Sequence, residues 1–389
     1  MSRKKSLEIE VESDVLKWAI SSSGWKEEDI FKRLKISQKT FSNWLSGEVK
    51  PTVTKLENLA SLIKRPFAVF FLSKPPSEKP MPKDFRMLPN KEGEFNKKTM
   101  LAIRRARRLQ GISKELSENL HSGIKPDVEV YKISDSIKNI AEKFREYFGL
   151  NEENERRFKT SYDVYNYLRE RIEDKNIFVF QISMPLEDAR GFTLVDDTPS
   201  IIVVNSGDII EARIFSLLHE FGHVLVRESG VSIPENALIV KRIDAVEKWC
   251  NEFASFVLLP ENKARLIFSD NKDSLTDTIT LNKLSRKLRV SKAMLLYNMS
   301  KLNFISNAQY DAVLERYKPE IFPTKEKKEK KGGFAARSAD KKCIDERGQK
   351  FVSLVAGNVE KGYISHSDAL DYLSIKTKNF DKVTRKAKK

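Results

Sequence analysis

Cysteine is scarce in this chain, which contains only Cys250 and Cys343 among 389 residues. Small secreted proteins that are held together by disulfides use far more cysteine, and so low a content is typical of the reducing cytosol. We therefore expect no structural disulfide and a cytoplasmic location. The first residues become acidic where a signal peptide would become apolar, and this agrees with that expectation.

Long apolar runs and internal repeats are also lacking. No stretch of about 18 apolar residues occurs, so we expect no transmembrane helix and no membrane partner. Hydrophobic residues make up 40% and charged residues 32% of the chain, which is ordinary for a soluble globular protein. The length is sufficient for two or three domains, each with its own core.

Acidic residues are too few to balance the basic ones, and the net charge is +16. Residues 1–80 contain 15 Lys and Arg against 10 Asp and Glu, a net charge of +5. Residues 321–389 contain 18 against 9, a net charge of +9. Basic ends on a cytosolic protein predict a polyanionic partner, most often nucleic acid, although a lysine-rich tail can equally serve solubility.

Composition and periodicity divide the chain into five segments. A proline-rich stretch that begins at Lys74 predicts a linker, and the charged, glycine-containing residues 325–333 predict another. The predicted segments are a helical domain at 10–73, a linker and helical connector at 74–159, a larger domain at 160–320, a charged linker at 321–341 and a small helical C-terminal module at 342–389.

The larger domain and its connector combine helical and strand-like patterns. Helical periodicity covers residues 96–121, 134–148 and 161–173. Strand-like runs follow at Ile177–Ile182, Arg190–Leu194 and Ile201–Asn205, and two further helices at about 209–226 and 244–259. More helices continue to about Tyr317. This order predicts an α+β domain with a small sheet beside two helices.

The helical pattern at about 209–226 contains the pentapeptide His219-Glu220-Phe221-Gly222-His223. Two histidines at positions i and i+4 lie on one face of a helix and can bind one zinc ion, while the intervening glutamate can take a proton from the zinc-bound water. Gly222 would allow another segment to approach the helix closely. The sequence therefore predicts a zinc hydrolase with His219 and His223 as ligands and Glu220 as general base.

A third protein ligand is expected from a carboxylate downstream. The candidates are Glu228, Glu235, Glu247 and Glu252. We choose Glu247, because it lies on the next strong helix, with Asn251 one turn later on the same face. Asn251 could hydrogen-bond a ligand histidine and fix its tautomer. Cys250 is a possible soft ligand, but a small buried packing residue is the better interpretation.

The segment from His219 through Glu247-Lys-Trp-Cys-Asn-Glu-Phe-Ala to Leu258-Leu-Pro260 resembles the ImmA/IrrE family of metallopeptidases. Upstream, Arg190-Gly-Phe, Pro199 to Asn205 and Arg213 to His219 also match, so the resemblance covers roughly residues 160–320. It implies a zincin-like fold, one Zn²⁺ per chain held by His219, His223 and Glu247, and Glu220 as the base. Cys250 stands where the family usually has alanine.

The N-terminal domain shows a different pattern over residues 14–72. Asp14 predicts a capped first helix, and a second helix follows Trp25. A third helix begins at Gln38, with Ser37 as its cap and Gly47 at its end. If this third helix enters a DNA major groove, the residues that reach bases or phosphates are Gln38, Lys39, Thr40, Ser42 and Asn43.

The stretch from Trp44 to Ala60 resembles the phage-repressor-like, XRE-type helix-turn-helix. Its continuation through Lys64 to Leu72 is similar to long proteins that fuse this domain to the peptidase. The resemblance implies an all-α DNA-binding domain ahead of the α+β peptidase domain and the helical C-terminal module, with double-stranded DNA as a partner. The alternative is a helical domain that binds protein, including a second copy of itself as a homodimer.

Two functions follow from these observations. The first is a regulatory protease that cuts a repressor or antitoxin-like protein in a phage, toxin–antitoxin or stress-response setting. Arg190 and Arg213 are the candidates for stabilising the oxyanion in that reaction. The second is a transcriptional regulator or antitoxin that keeps the metal-binding fold without hydrolysing peptides. The intact Glu220 favours the first function.

Overall fold

The computed structural model describes residues 7–77, 96–227, 231–232, 245–321 and 338–387. The chain divides into two compact units, one of residues 1–81 and 90–105 and the other of residues 82–89 and 106–389. Much of both predicted linkers lies outside the described residues. No helix within the described ranges is long and apolar enough to cross a membrane.

The first unit is built from short helices around one core. These are α1 (Ser13–Ser21), α2 (Glu27–Leu34), α3 (Gln38–Ser46), α4 (Val53–Ile63), a 3-10 helix (Phe67–Phe71) and the beginning of α5 (Lys97–Asn119). Apolar residues three or four positions apart put Leu16, Phe41, Trp44 and Leu56 into this core. The helical periodicity predicted for this part of the chain is confirmed.

The ends of α3 follow from local chemistry. Ser37 accepts a hydrogen bond from the Thr40 amide at 3.0 Å, and Gly47 ends the helix with φ +82°. Both predicted signals are confirmed. The predicted Asp14 cap is wrong, because α1 already begins at Ser13 and Asp14 lies in its first turn. An acidic residue in that position still interacts favourably with the helix dipole.

The second unit contains most of the helices and the sheet. Its helices after α5 are α6 (Ile137–Tyr147), α7 (Glu152–Arg157), α8 (Ser161–Glu173), α9 (Ile210–Val226), α10 (Ala245–Leu258), α11 (Glu261–Ser269), α12 (Thr278–Leu288), α13 (Lys292–Lys301), α14 (Asn307–Ile321), α15 (Ala339–Arg347), α16 (Gln349–Glu360), α17 (His366–Leu373) and α18 (Phe380–Ala387), with 3-10 helices at Lys272–Ser274 and Thr377–Asn379. The predicted helices agree with these bounds to within a few residues.

Within the described residues, four strands form one small sheet in the order β1-β3-β2-β4. They are β1 (Phe178–Ile182), β2 (Gly191–Leu194), β3 (Ile201–Asn205) and β4 (Val231–Ser232). β1 is parallel to β3, whereas β2 is antiparallel to both β3 and β4. The three predicted strands and the α+β class are confirmed.

Helices cover both faces of β1. Val179, Ile202 and Val204 point to the face occupied by α8, α9 and α10 and share one core with them. Phe178 and Phe180 point to the opposite face and contact Phe351 of α16, with ring centroids 6.4 and 5.4 Å apart. All five β1 residues are therefore buried, which explains a continuous apolar run instead of an alternating one. The C-terminal helices thus lie directly on the sheet of the second unit.

Candidate metal centre

Helices α9 and α10 come into close contact where Gly222 faces Cys250. A Cβ atom at Gly222 would lie 3.1 Å from Cys250 Sγ and 3.3 Å from its Cα, so a larger residue would require the two helices to move apart by a few tenths of an ångström. This confirms the role predicted for Gly222. Cys250 is fully buried, and burial raises the pKa of its thiol. Its environment favours a neutral packing residue over a thiolate ligand.

The close helix contact brings three of the predicted site residues together. The two imidazole Nε2 atoms of His219 and His223 lie 3.2 Å apart. The Glu247 carboxylate lies 3.2 Å from His219 Nε2 and 3.0 Å from His223 Nε2. All three side chains are buried, and among the described residues they form the one group of ligand atoms with metal-binding spacing. The i, i+4 spacing on α9 and the start of α10 together create this triangle.

The triangle fits a zinc ion. Bonds of about 2.0–2.1 Å in a tetrahedral site leave neighbouring ligand atoms about 3.3 Å apart. The observed separations of 3.0–3.2 Å are close to that edge length. Two neutral imidazoles could share at most one hydrogen bond at this contact, with Nε2 protonated on one ring and bare on the other, and the bare nitrogen could donate nothing to the Glu247 carboxylate. A metal ion shared by His219, His223 and Glu247 satisfies all three groups.

Electrostatics around the triangle favours a cation. Burial works to raise the pKa of Glu247, but electrostatic interactions and hydrogen bonds with His219 and His223 together lower it by more, so the pKa of this carboxyl ends well below its usual value. An ionised carboxylate therefore faces two ring nitrogens inside the protein. A metal ion and protons compete for those nitrogens, so metal binding must weaken in acid.

Glu220 occupies a pocket between α9 and strand β2. Thr193 Oγ1 lies 2.6 Å from Glu220 Oε2 and 3.1 Å from the Glu220 backbone carbonyl. A Cβ at Gly191 would lie 2.8 Å from Glu220 Oε1, so glycine is needed for this approach as well. Oε1 has no hydrogen-bond partner within the described part of the protein. The carboxyl group is thus held by one oxygen and has the other available.

The pocket changes the acidity of Glu220. Burial raises the pKa of this carboxyl to about 7, although the nearby histidines and the Thr193 hydrogen bond oppose the effect. A group with such a pKa exchanges protons readily near neutral pH. The position and acidity of Glu220 both suit a general base.

Of the other candidate carboxylates, only Glu252 lies among the described residues, and it does not join the site. Glu252 forms an ion pair with Lys301 at 2.9 Å, which fits its position about 100° around the helix from Asn251. Glu228 and Glu235 lie outside the described residues. Asn251 is buried on α10 one turn after Glu247. The predicted hydrogen bond from Asn251 to a ligand histidine is not formed, because neither Nδ1 atom has a partner in the described structure.

The two arginines considered for the oxyanion are engaged elsewhere. Arg190 donates to Asp208 at 2.6 Å in a pair that is almost completely buried. Arg213 donates to the Asp208 carbonyl at 2.8 Å and to Gln181 at 3.0 Å. Both guanidinium groups therefore bind Asp208, just before α9, and this geometry does not support either as the oxyanion donor.

The predicted DNA-contacting residues lie on one helix of the first unit. Gln38, Lys39 and Ser42 of α3 are exposed, whereas Thr40 and Asn43 are half-buried. Phe41 and Trp44 of the same helix are buried in the core. α3 thus presents a polar face to solvent, as the predicted contacts require.

Thr193 and Gly191 were not among the predicted site residues. Strand alternation offered a signal, because residues 191 and 193 lie on the same face of β2. What could not be read from the chain alone is that α9 packs on this face with Glu220 pointing at it.

Comparison with known proteins supports the metallopeptidase interpretation. Residues 172–300 match the peptidase M78 family model, described as IrrE N-terminal-like domain. The matched segment contains β1 to β4 and the helices α9 and α10 that carry the metal triangle. No curated protein and no solved structure matches the chain.

Proposed function

We propose that the chain is a regulatory zinc metalloendopeptidase that carries a DNA-binding domain and cleaves a protein of the repressor or antitoxin type. One observation carries this proposal: three buried ligand atoms spaced for zinc lie beside Glu220, whose pKa is about 7. The match of residues 172–300 to a peptidase family supports it.

The residues have distinct parts in the proposed reaction. A zinc ion held by His219, His223 and Glu247 would lower the pKa of a bound water and polarise the scissile carbonyl. Glu220 accepts the proton of the attacking water through its free Oε1 and delivers it to the leaving amine. Thr193 holds the other oxygen, so Glu220 does not have to reorient during the reaction.

The first unit supports the regulatory part of the proposal. α3 has a firm N-cap, a buried aromatic face and an exposed polar face with Gln38 and Lys39. Such a helix can enter a major groove, where glutamine pairs with adenine and lysine contacts phosphate. Double-stranded DNA is therefore the proposed partner of this unit, with repressor-like helix-turn-helix geometry.

A second candidate function is a non-proteolytic DNA-binding regulator or antitoxin that uses the metal only for its fold. The observation in its favour is burial, since His219, His223 and Glu220 are each at most 1% exposed. Structural zinc sites are closed, whereas catalytic sites keep a position for water. The Glu220→Gln variant separates the two functions, because it removes the base while leaving the ligands intact.

The test compares new protein N-termini in host cells that express either the wild-type chain or Glu220→Gln at equal levels. We expect a small number of cleavages, in DNA-binding or antitoxin-like proteins, that occur with the wild type alone. Purified wild-type and variant proteins should both contain one zinc per chain by elemental analysis. Identical N-termini in the two strains, with zinc present in both proteins, would refute the protease and favour the second candidate.

A further inference from the structure

The C-terminal helices are connected to the metal-bearing helix by a chain of hydrogen bonds. It begins at the backbone carbonyl of Asp345 in α15, which accepts from Arg169 Nη1 and from Gln181 Nε2, both at 2.7 Å. Gln181 is a β1 residue and is only 6% exposed. One side chain of the sheet is therefore bound to the C-terminal segment.

The same glutamine also binds the metal-bearing helix. Its Oε1 accepts from Arg213 Nη1 at 3.0 Å, and Arg213 Nε donates to the Asp208 carbonyl at 2.8 Å. The Asp208 carboxylate in turn accepts a hydrogen bond from the backbone amide of Ile209 at the start of α9. Arg213 lies on α9 itself, six residues before His219, so the chain of bonds ends on the element that carries two ligands.

A buried ion pair holds the Asp345 end of this hydrogen-bond chain, because Arg169 also donates to the Asp345 carbonyl. Arg169 and Glu173 of α8 form a pair at 3.1 Å that is about 5% exposed. Arg169 also donates to the Val179 carbonyl of β1, and Glu173 accepts from the Lys350 amide of α16 at 3.2 Å. Breaking such a buried pair is costly, so α15 and α16 are held firmly against α8 and β1.

Gly348 is the point where this arrangement leaves no space. It joins α15 to α16 with φ +84°, and a Cβ there would contact the Glu173 carboxylate, Arg169 Nη2 at 2.8 Å and the Val179 carbonyl at 3.0 Å. By contrast, Gly362 has φ +72° and nothing within 4 Å of its Cβ position. Alanine at either position meets a positive φ, but Gly348 also has ψ 151°, a region that essentially only glycine occupies, and only there would alanine displace the ion pair.

We infer that Gln181 and Arg213 are positioning residues of the metal site, and that α15 and α16 belong to the framework that holds α9 in place. α9 behaves as one rigid element between Arg213 and His223, so a shift at its first turns moves both histidines relative to Glu247 on α10. Loss of a hydrogen-bond partner that contacts a ligand directly weakens metal binding by about 10- to 100-fold. Gln181 and Arg213 act through α9 without touching a ligand, so we expect an effect near or below the lower end of that range. This inference depends on the metal site of the proposed function.

The experiment measures zinc affinity of the full-length chain by competition with a chromophoric chelator. The variants are Gln181→Met, which keeps the side-chain length but removes both hydrogen bonds, and Gly348→Ala. The control is Gly362→Ala, which also puts alanine at a positive φ but in open space. We expect the zinc Kd to rise by roughly five- to tenfold in the first two and to stay within about twofold of the wild type in the control. Amide hydrogen exchange in residues 210–218 should increase in the same two variants.

Zinc affinity separates positioning from general stability. A variant that only lowers global stability leaves the Kd of the native protein unchanged as long as nearly all molecules remain folded. Unchanged Kd values in Gln181→Met and Gly348→Ala would overturn the inference, and Gln181→Met decides alone if Gly348→Ala fails to fold. A wild-type chain that binds no zinc would overturn the proposed function as well, so the two failures are distinguishable.

Discussion

The burial of Glu220 has a consequence for stability that can be measured without knowing the substrate. In an unfolded chain this carboxyl has its ordinary pKa of 4.5, whereas in the folded protein its pKa is about 7. Because the folded value is the higher one, protonated Glu220 contributes favourably to the free energy of unfolding. This contribution is complete below about pH 4.5 and is lost as pH rises to about 7. That difference corresponds to about 3 kcal/mol, the free energy needed to ionise Glu220 inside the pocket.

Replacement of Glu220 by glutamine removes this titration. The amide can still accept the Thr193 hydrogen bond, but its NH₂ group takes the place of the unpartnered Oε1. An unpaired buried donor costs about 1–3 kcal/mol, and this cost does not depend on pH. As pH rises from about 4.5 to 7, we therefore expect the free energy of unfolding of the variant to increase by about 3 kcal/mol relative to that of the wild type. Above that range the difference should be constant.

The assay is amide hydrogen exchange of α9 in metal-free protein, measured by mass spectrometry so that the second unit is observed separately. Comparison of the two proteins at each pH cancels the intrinsic pH dependence of exchange. The ratio of protection factors should change about 100-fold across the titration, which is the equivalent of about 3 kcal/mol. A ratio that stays constant from about pH 5 to pH 8 would show that Glu220 ionises at an ordinary pKa, and the reasoning from burial would be refuted.

Three further predictions concern the metal, the base and the DNA. The double variant His219→Ala/His223→Ala should lose its zinc by elemental analysis while circular dichroism stays helical, and full retention of zinc would contradict the ligand assignment. Thr193→Val should retain zinc but slow the Glu220-dependent cleavage about tenfold, whereas Thr193→Ser keeps the hydroxyl and should cleave at the wild-type rate. Equal rates in all three proteins would exclude a role for the hydroxyl. With DNA selected from a random pool, Gln38→Ala should weaken binding to the selected site by about 1–3 kcal/mol and binding to random DNA little, whereas Lys39→Ala should weaken binding to both. The same loss of affinity for both variants on both DNAs would contradict this division.

The metal triangle was largely predictable because its information is local. The spacing of His219 and His223 depends only on helix geometry, and Glu247 follows from the next strongly periodic helix. Gly222 also carried its meaning in the sequence, since a glycine inside a helix calls for a close neighbour. Its neighbour, Cys250, became known only from the packing of α10 against α9.

Contacts between distant segments were not predictable in the same way. Gln181 and Asp345 are 164 positions apart, and no periodicity links a glutamine to a particular carbonyl group. The apolar run of β1 did contain a hint, because Phe178 and Phe180 alternate with Val179 and leave neither face for solvent. That pattern requires a cover on both sides, but the chain alone does not say that α16 provides one of them.

The free energy spent on Glu220 bears on the choice between the two functions. A metal site that serves only the fold needs its three ligands and gains nothing from a fourth ionisable group that costs about 3 kcal/mol to charge. An apolar side chain in the same pocket would avoid the free energy of burying a charge. Instead, the protein leaves space at Gly191, provides a hydroxyl at Thr193 and keeps one carboxylate oxygen without a partner. An arrangement that destabilises the fold in this way is expected where proton transfer near neutral pH is required. It therefore favours hydrolysis over a purely structural metal.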